Sequence, residues 1–169
     1  MSTNPQPAAL PPGVEETAAI AAAIDSGVSF GVSTHGHVKS LEEAAEALGV
    51  IPRDVVKTLV VRRAEGEHLL VLVPGDRRFS WPKLRALLGE NRLTMPDAAG
   101  AKDVTGFERG TITPFGTLTP LPVIADERMV GRTISLGAGA HGVGLTLAAD
   151  DVLAHFGARV ADLTDAPKD

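Results

Sequence analysis

Val55-Val56-Lys57-Thr58-Leu59-Val60-Val61, then Ala64-Glu65-Gly66-Glu67, then Leu69-Leu70-Val71-Leu72-Val73: this stretch decides the fold class. Both apolar runs have strand length and are rich in branched side chains, and the short Gly-containing segment between them predicts a hairpin of adjacent antiparallel strands. Lys57 is the anomaly. Its neighbours read as a largely buried strand, so its ammonium must reach a cleft, an edge or a partner, because desolvating a lysine disfavours its charged form. The plainer reading is a lysine on the solvent face of a half-exposed strand.

On the C-terminal side, Pro74-Gly75-Asp76 makes a turn, and Ser80 caps a helix running to Leu88, with Pro82 in its first turn and Gly89 as its stop. On the N-terminal side, Ser40 and Glu43 form a capping box ahead of Leu41, Ala44, Ala45 and Leu48, and Gly49 ends that helix. Before it the pattern predicts a helix over Val14–Ile24, closed by Asp25-Ser26-Gly27, and a strand over Ser29–Thr34. Beyond Met95 a short helix at Asp97–Val104 precedes a turn-rich stretch. Strands then follow at Pro122–Ala125, Arg132–Leu136 and Val143–Leu147, with a last helix at Asp150–Phe156. Hairpins with interspersed helices argue for an α+β fold over a doubly wound one.

The 169 residues suit one domain, read as 14–163 between a disordered N-terminal tail, 1–13, and a C-terminal tail, 164–169. Apolar residues make up 44% and charged residues 22%, enough for a sizeable core. The absence of cysteine excludes disulfides, thiolate nucleophiles and Cys-ligated metals. No signal-peptide pattern opens the sequence and no apolar run nears the roughly 18 residues of a membrane span, so a soluble, cytoplasmic protein without membrane partners is expected. Net charge is −5, yet residues 53–92 hold nine bases against five acids. Such a segment either meets phosphates through one face or is a solvated surface.

Chemistry concentrates in two glycine-rich stretches. Thr105-Gly106-Phe107-Glu108-Arg109-Gly110-Thr111-Ile112-Thr113-Pro114-Phe115-Gly116 has the composition of a backbone that approaches a ligand closely. Its N–H groups are candidates for stabilising an oxyanion, a contribution of roughly 3 to 4 kcal/mol per donor; the plain alternative is a connecting loop. Gly137-Ala138-Gly139-Ala140-His141-Gly142 formally matches a dinucleotide fingerprint, but a strand pattern follows where a helix is needed. A glycine-rich hairpin, structural or lining a pocket, is the better reading. His35-Gly36-His37 puts two imidazoles on one side of an extended strand, weak evidence for a metal. Asp126 reads as a helix cap or an acid. No zincin, phosphate-loop or serine-hydrolase signature occurs, and neither metal nor cofactor is expected.

Taken in order, these pieces resemble the YbaK/ProX aminoacyl-tRNA deacylases, relatives of the editing domain inserted in bacterial prolyl-tRNA synthetases. The resemblance runs from about His35 to Asp162. It rests on Ser40–Ala45, Val55–Val60, Val73–Asp76, Thr105–Phe107, Gly110–Pro114 with Phe115 and Gly116, Pro122–Asp126 and Gly137–Gly139. It implies an α+β fold with a mixed, curved sheet and flanking helices, and hydrolysis of the ester joining a wrong amino acid to tRNA, with Cys-tRNA(Pro) or Ala-tRNA(Pro) as substrate. Lys57 matches the family's functionally important lysine, implied to hold the terminal nucleotide's phosphate or to orient the ester. Gly110–Pro114 matches the loop that supports the terminal adenosine and aminoacyl carbonyl, and Gly137–Gly139 a second pocket loop. The substrate-binding set expected on this basis is His35, Thr105, Gly106, Gly110, Thr113, Pro114, Phe115, Gly116, Gly137, Gly139 and His141, the last without a defined role. The implied partners are the aminoacylated 3′ end of tRNA and prolyl-tRNA synthetase. The rival readings are a non-catalytic tRNA-binding or synthetase-associated protein of the same fold, and a small-molecule module built on Gly137–Gly142.

Overall fold

Thr17, Ser40, Ser80 and Asp97 each turn a side-chain oxygen onto the backbone N–H three residues ahead, at 3.1, 3.1, 3.3 and 2.8 Å. Four helices begin at these caps, which satisfy donors that have no partner inside the helix. The computed structural model describes residues 10–36 and 40–167. Along the chain run α1 (Ala18–Ser26), β1 (Phe30–Thr34), α2 (Leu41–Leu48), β2 (Val56–Ala64), β3 (Glu67–Pro74), β4 (Arg78–Phe79), α3 (Trp81–Leu88), α4 (Ala98–Thr105), β5 (Val123–Asp126), β6 (Thr133–Gly137), β7 (Val143–Ala148), α5 (Ala149–Phe156), β8 (Arg159–Ala161) and β9 (Thr164–Asp165). Each of the five helices ends on a glycine in the left-handed conformation.

The expected hairpin is β2 against β3, antiparallel, with Lys57 opposite Val73 and a register shift between Arg62 and Ala64. β3 also pairs β5, and β5 pairs β8, both parallel, so the mixed sheet has the order β2-β3-β5-β8. This explains why Leu69–Val73 is continuously apolar. Leu70 and Leu72 enter the main core with Ile20, Phe115, Ile134 and Leu145, whereas Leu69, Val71 and Val73 enter a second core with Leu84 and Leu163. A strand covered on both faces has no polar positions to alternate, and each such side chain stabilises the fold by about 1.5–3 kcal/mol.

A second, antiparallel sheet has the order β1-β7-β6. It meets the first where Val55 bridges Ser135 in parallel. The α+β class with mixed sheets and flanking helices therefore holds.

Boundaries differ from the sequence reading at several elements, and two of the differences have an identifiable cause. The first helix starts at Ala18, not Val14, because Thr17 caps it. Thr164 and Asp165, placed by sequence in a C-terminal tail, form β9 against β4, and Thr164 is fully buried. The cause is a polar knot: Asp126 Oδ2 accepts from Leu163 N at 3.0 Å and from Thr164 Oγ1 at 3.0 Å, while Lys83 Nζ donates to the Thr164 carbonyl at 2.6 Å. Of the N-terminal tail expected over 1–13, residues 1–9 lie outside the described residues. Leu10 and Val14 pack against the main core.

Candidate active site

The two sheets leave a cavity of about 550 Å³ along the free edge of β2. Its walls come from every neighbouring element: Ala44 and Leu48 of α2, Ala98 and Ala101 of α4, Leu136 and Gly137 of β6, Val143 and Gly144 of β7. Six consecutive residues, Val55–Val60, line it. Side chains of a strand alternate between faces, so a continuous run means that the backbone edge itself faces the cavity. β2 is the outermost strand of its sheet, and an outermost strand presents unpaired N–H and C=O groups.

Lys57 lies on this edge, exposed, and its ammonium has neither an ion pair nor a hydrogen bond among the described residues. Three other bases of segment 53–92 are committed: Arg63 to Glu90, Lys83 to Asp162 and Asp165, Arg77 to Thr164. Arg109, also exposed and without an acidic partner, is the second cation of the wall. Asp97 is the only lining carboxylate among the described residues, and one of its oxygens caps α4. Thr58 Oγ1 is buried in the wall with no hydrogen-bond partner. The site is thus an apolar recess bounded by a strand edge that is open between its bridges at Val55 and Arg62, and by two cations without an acidic partner among the described residues.

Of the residues singled out by sequence, His35, Lys57, Gly110 and Gly137 line the cavity. The others do not, for identifiable reasons. Thr105 is fully buried, its hydroxyl donating to the Ala101 carbonyl at 2.8 Å and accepting from Phe107 N at 3.1 Å. Gly106 caps α4. Thr113, Pro114 and Phe115 turn into the protein, and Phe115 is a core ring stacked on His155 and edge-on to Phe156. Gly116 lies under α1: a Cβ there would collide with the Ala18 carbonyl. Gly139 packs on the Phe107 ring, and its N–H donates to the Thr111 carbonyl at 3.1 Å. His141 is exposed and pairs with Glu108.

The two glycine-rich loops are therefore laid against each other, backbone to backbone. A Cβ on Gly137 would sit 2.7 Å from the Ile112 carbonyl oxygen and 3.0 Å from that of Thr111. Gly110 instead owes its identity to a φ of 90°, since a Cβ there would have room.

His35 Nδ1 is 2.9 Å from the Gly36 carbonyl oxygen, and its N–H donates to the Gly142 carbonyl at 2.8 Å. That bond ties the end of β1 to the second loop. His37, the other half of the metal reading, lies outside the described residues. Asp126 is a cap: fully buried, it accepts from Arg128 N at 3.1 Å, away from the cavity wall. Gly137–Gly142 leads into strand β7, so it does not open a helix.

Sequence reading missed Arg109, although it stands between Glu108 and Gly110 in the stretch singled out. A charged side chain inside a glycine-rich loop was the available signal. It also missed Leu48, whose place on the apolar face of a capped helix reads as core.

Residues 35–154 match the family described as Aminoacyl-tRNA editing domain. Proline–tRNA ligase of Thermosipho africanus is 36% identical over 90 residues, which is 53% of this chain but 16% of that protein; this chain thus corresponds to a small part of the ligase. EbsC of Enterococcus faecalis, named as a candidate Cys-tRNA(Pro)/Cys-tRNA(Cys) deacylase, is 27% identical over 126 residues, covering 74% of this chain and 77% of EbsC. A crystal structure described as a candidate trans-editing enzyme for prolyl tRNA synthetase superposes with a TM-score of 0.80 at 28% identity, covering 94% of this chain and all of that one. The matched span contains the β2–β3 hairpin, both glycine-rich loops and the cavity with Lys57 on its edge, and the chain belongs to the aminoacyl-tRNA editing domain family.

Proposed function

We propose that this protein is a trans-editing hydrolase that cleaves the ester of mischarged aminoacyl-tRNA in the cytoplasm, with Cys-tRNA(Pro) and Ala-tRNA(Pro) the first substrates to consider. The observation that carries the reading is the uncompensated Lys57 on the unpaired edge of β2, beside an apolar recess of about 550 Å³. That volume falls within the range of small-ligand sites, roughly 300–1,000 Å³. An acyl side chain and an adenine ring offer apolar or flat faces with polar groups at their edges, which the apolar walls and polar edge of the recess can match.

Ester hydrolysis adds water across the acyl C–O bond. The nucleophile's oxygen bonds to the carbonyl carbon, the carbonyl oxygen becomes negative, and the ribose oxygen leaves with a proton. What limits such a step is stabilisation of the oxyanion and positioning of the attacking group. Backbone N–H groups of the β2 edge are fixed donors for the oxyanion, and the Lys57 ammonium adds positive charge in a recess where apolar walls keep the dielectric low. Nothing in this scheme needs a thiolate, and the chain has no cysteine.

The test is deacylation of Cys-tRNA(Pro), Ala-tRNA(Pro), Ser-tRNA and correctly charged Pro-tRNA(Pro). Rapid loss of one mischarged species with Pro-tRNA(Pro) spared supports the proposal and names the substrate. Rates equal to spontaneous hydrolysis across the panel would remove the catalytic assignment. Retained tRNA binding would then favour a binding protein of the same family.

A further inference from the structure

We propose that Arg109 is a phosphate-binding residue that positions the 3′ end of the substrate by clamping a backbone phosphodiester at the cavity wall. The inference rests on the aminoacyl-tRNA reading above and adds to it a residue that has no counterpart among the expected site residues.

Three observations carry it. Arg109 and Lys57 both line the cavity, and neither has an acidic partner among the described residues, in a chain whose net charge is −5. The carboxylate nearest Arg109 in sequence, Glu108, is already taken: Oε2 pairs with His141 Nε2 at 3.1 Å and Oε1 with Lys102 Nζ at 3.6 Å. The His141–Glu108 contact also holds the loop carrying Arg109 against the β6–β7 loop, so the guanidinium projects from a braced backbone.

The chemistry then selects the ligand. In an ester the amino acid's carboxyl group is not an anion, so the acyl group offers these cations no negative charge. The anionic groups that accompany an esterified 3′ end are the phosphodiesters of the preceding nucleotides. A guanidinium offers planar, paired donors that match two phosphate oxygens, whereas an ammonium acts as a point charge. Lys57 lies on the strand edge where the ester is placed, which leaves Arg109 for the backbone.

Two measurements on wild type, Arg109→Gln and Arg109→Lys test this. The first is steady-state deacylation of the mischarged tRNA that wild type cleaves. Arg109→Gln is expected to raise KM about tenfold with kcat unchanged, the signature of binding shared by ground and transition states. The second is binding of uncharged tRNA, and of a short single-stranded RNA ending in CCA, followed by fluorescence anisotropy between roughly 50 and 200 mM salt. Losing one single-strand phosphate contact should flatten the plot of log affinity against log salt by about 0.7. Arg109→Lys should keep the slope and recover only part of the affinity.

Wild-type turnover with an unchanged KM and salt slope in Arg109→Gln overturns the Arg109 assignment alone. A fall in kcat without a change in slope overturns it too, because it marks a structural effect on the loop. If wild type cleaves nothing yet binds tRNA with an Arg109-dependent slope, the hydrolase reading fails and the phosphate clamp stands. Absence of tRNA binding by wild type sinks both.

Discussion

His141 Nε2 lies 3.1 Å from Glu108 Oε2, joining the tips of two glycine-rich loops 33 residues apart in sequence. The His141 hydrogen bond, and next the charge of Lys102, hold the Glu108 carboxyl below its ordinary value. A depressed carboxylate contributes above its unfolded pKa and loses that contribution as pH falls through the folded one. The Glu108 carboxylate is therefore in place at neutral pH, and its side of the latch is lost as pH falls below the ordinary glutamate range. Glu108→Gln should leave the melting temperature unchanged, since both groups are exposed, while hydrogen exchange at the Gly139 amide quickens. Unaltered protection at Gly139 would mean that backbone contacts alone hold the loops together.

Lys57→Ala should reduce deacylation by at least about a hundredfold, the scale of losing one oxyanion-stabilising group, with no change in thermal stability because the side chain is exposed and unpaired. Lys57→Arg should keep tRNA affinity while turnover stays low, since the larger planar head carries the charge to a different point. Near-normal turnover in either variant removes Lys57 from the chemistry.

Gly137→Ala should cost about 1–3 kcal/mol in urea unfolding, because the new methyl meets two backbone carbonyls that have no side-chain freedom with which to yield. It should also impair activity, since relieving the clash moves Ile112, a cavity residue, with its loop. Wild-type stability would show that the two loops can part without penalty.

Asp162 is held at a pKa of about 2, first by its hydrogen bond from Arg128 and next by that from Lys83. Its contribution is present above the ordinary value of 3.8 and disappears as pH falls from about 4 to about 2. Trp81, the only tryptophan, packs edge-on to Phe79 of β4 with ring centres 4.9 Å apart, and so reports on the strand that β9 pairs with. Asp162→Asn should therefore unfold at lower urea than wild type at neutral pH by Trp81 fluorescence, and the difference should close below pH 2. A difference that persists in acid would assign the effect to packing.

Phe115 follows Gly110 and Ile112 of the same loop, which line the cavity, yet it belongs to the core. Phe115→Ala should cost about 3–5 kcal/mol, and the folded fraction should bind RNA as wild type does. The error shows where sequence reading stops. Caps, glycine stops and the β2–β3 hairpin were legible because each is written in neighbouring residues. Lys57 was legible because a charge inside an apolar run breaks the local pattern. Which way Thr113, Pro114 and Phe115 face within a turn-rich loop follows no period; α1 and α5, packed against them from distant sequence, decide it. β8 and β9 were missed for the same reason. They are short, and β9 is fixed by Asp126, 38 residues before Thr164.

The open edge of β2 has one more consequence. Between its bridges to Ser135 at Val55 and to Thr94 at Arg62, the outer edge of β2 is open, and an open strand edge is a template on which another chain can add a strand, the usual first step of edge-to-edge aggregation. Here the segment Val55–Val60 is sunk between α2, α4 and the β6–β7 sheet. A flat strand from a second molecule cannot lie along an edge enclosed on these sides. Enclosure thus does for this edge what prolines or charges do on others, and a substitution that opens the recess should promote self-association.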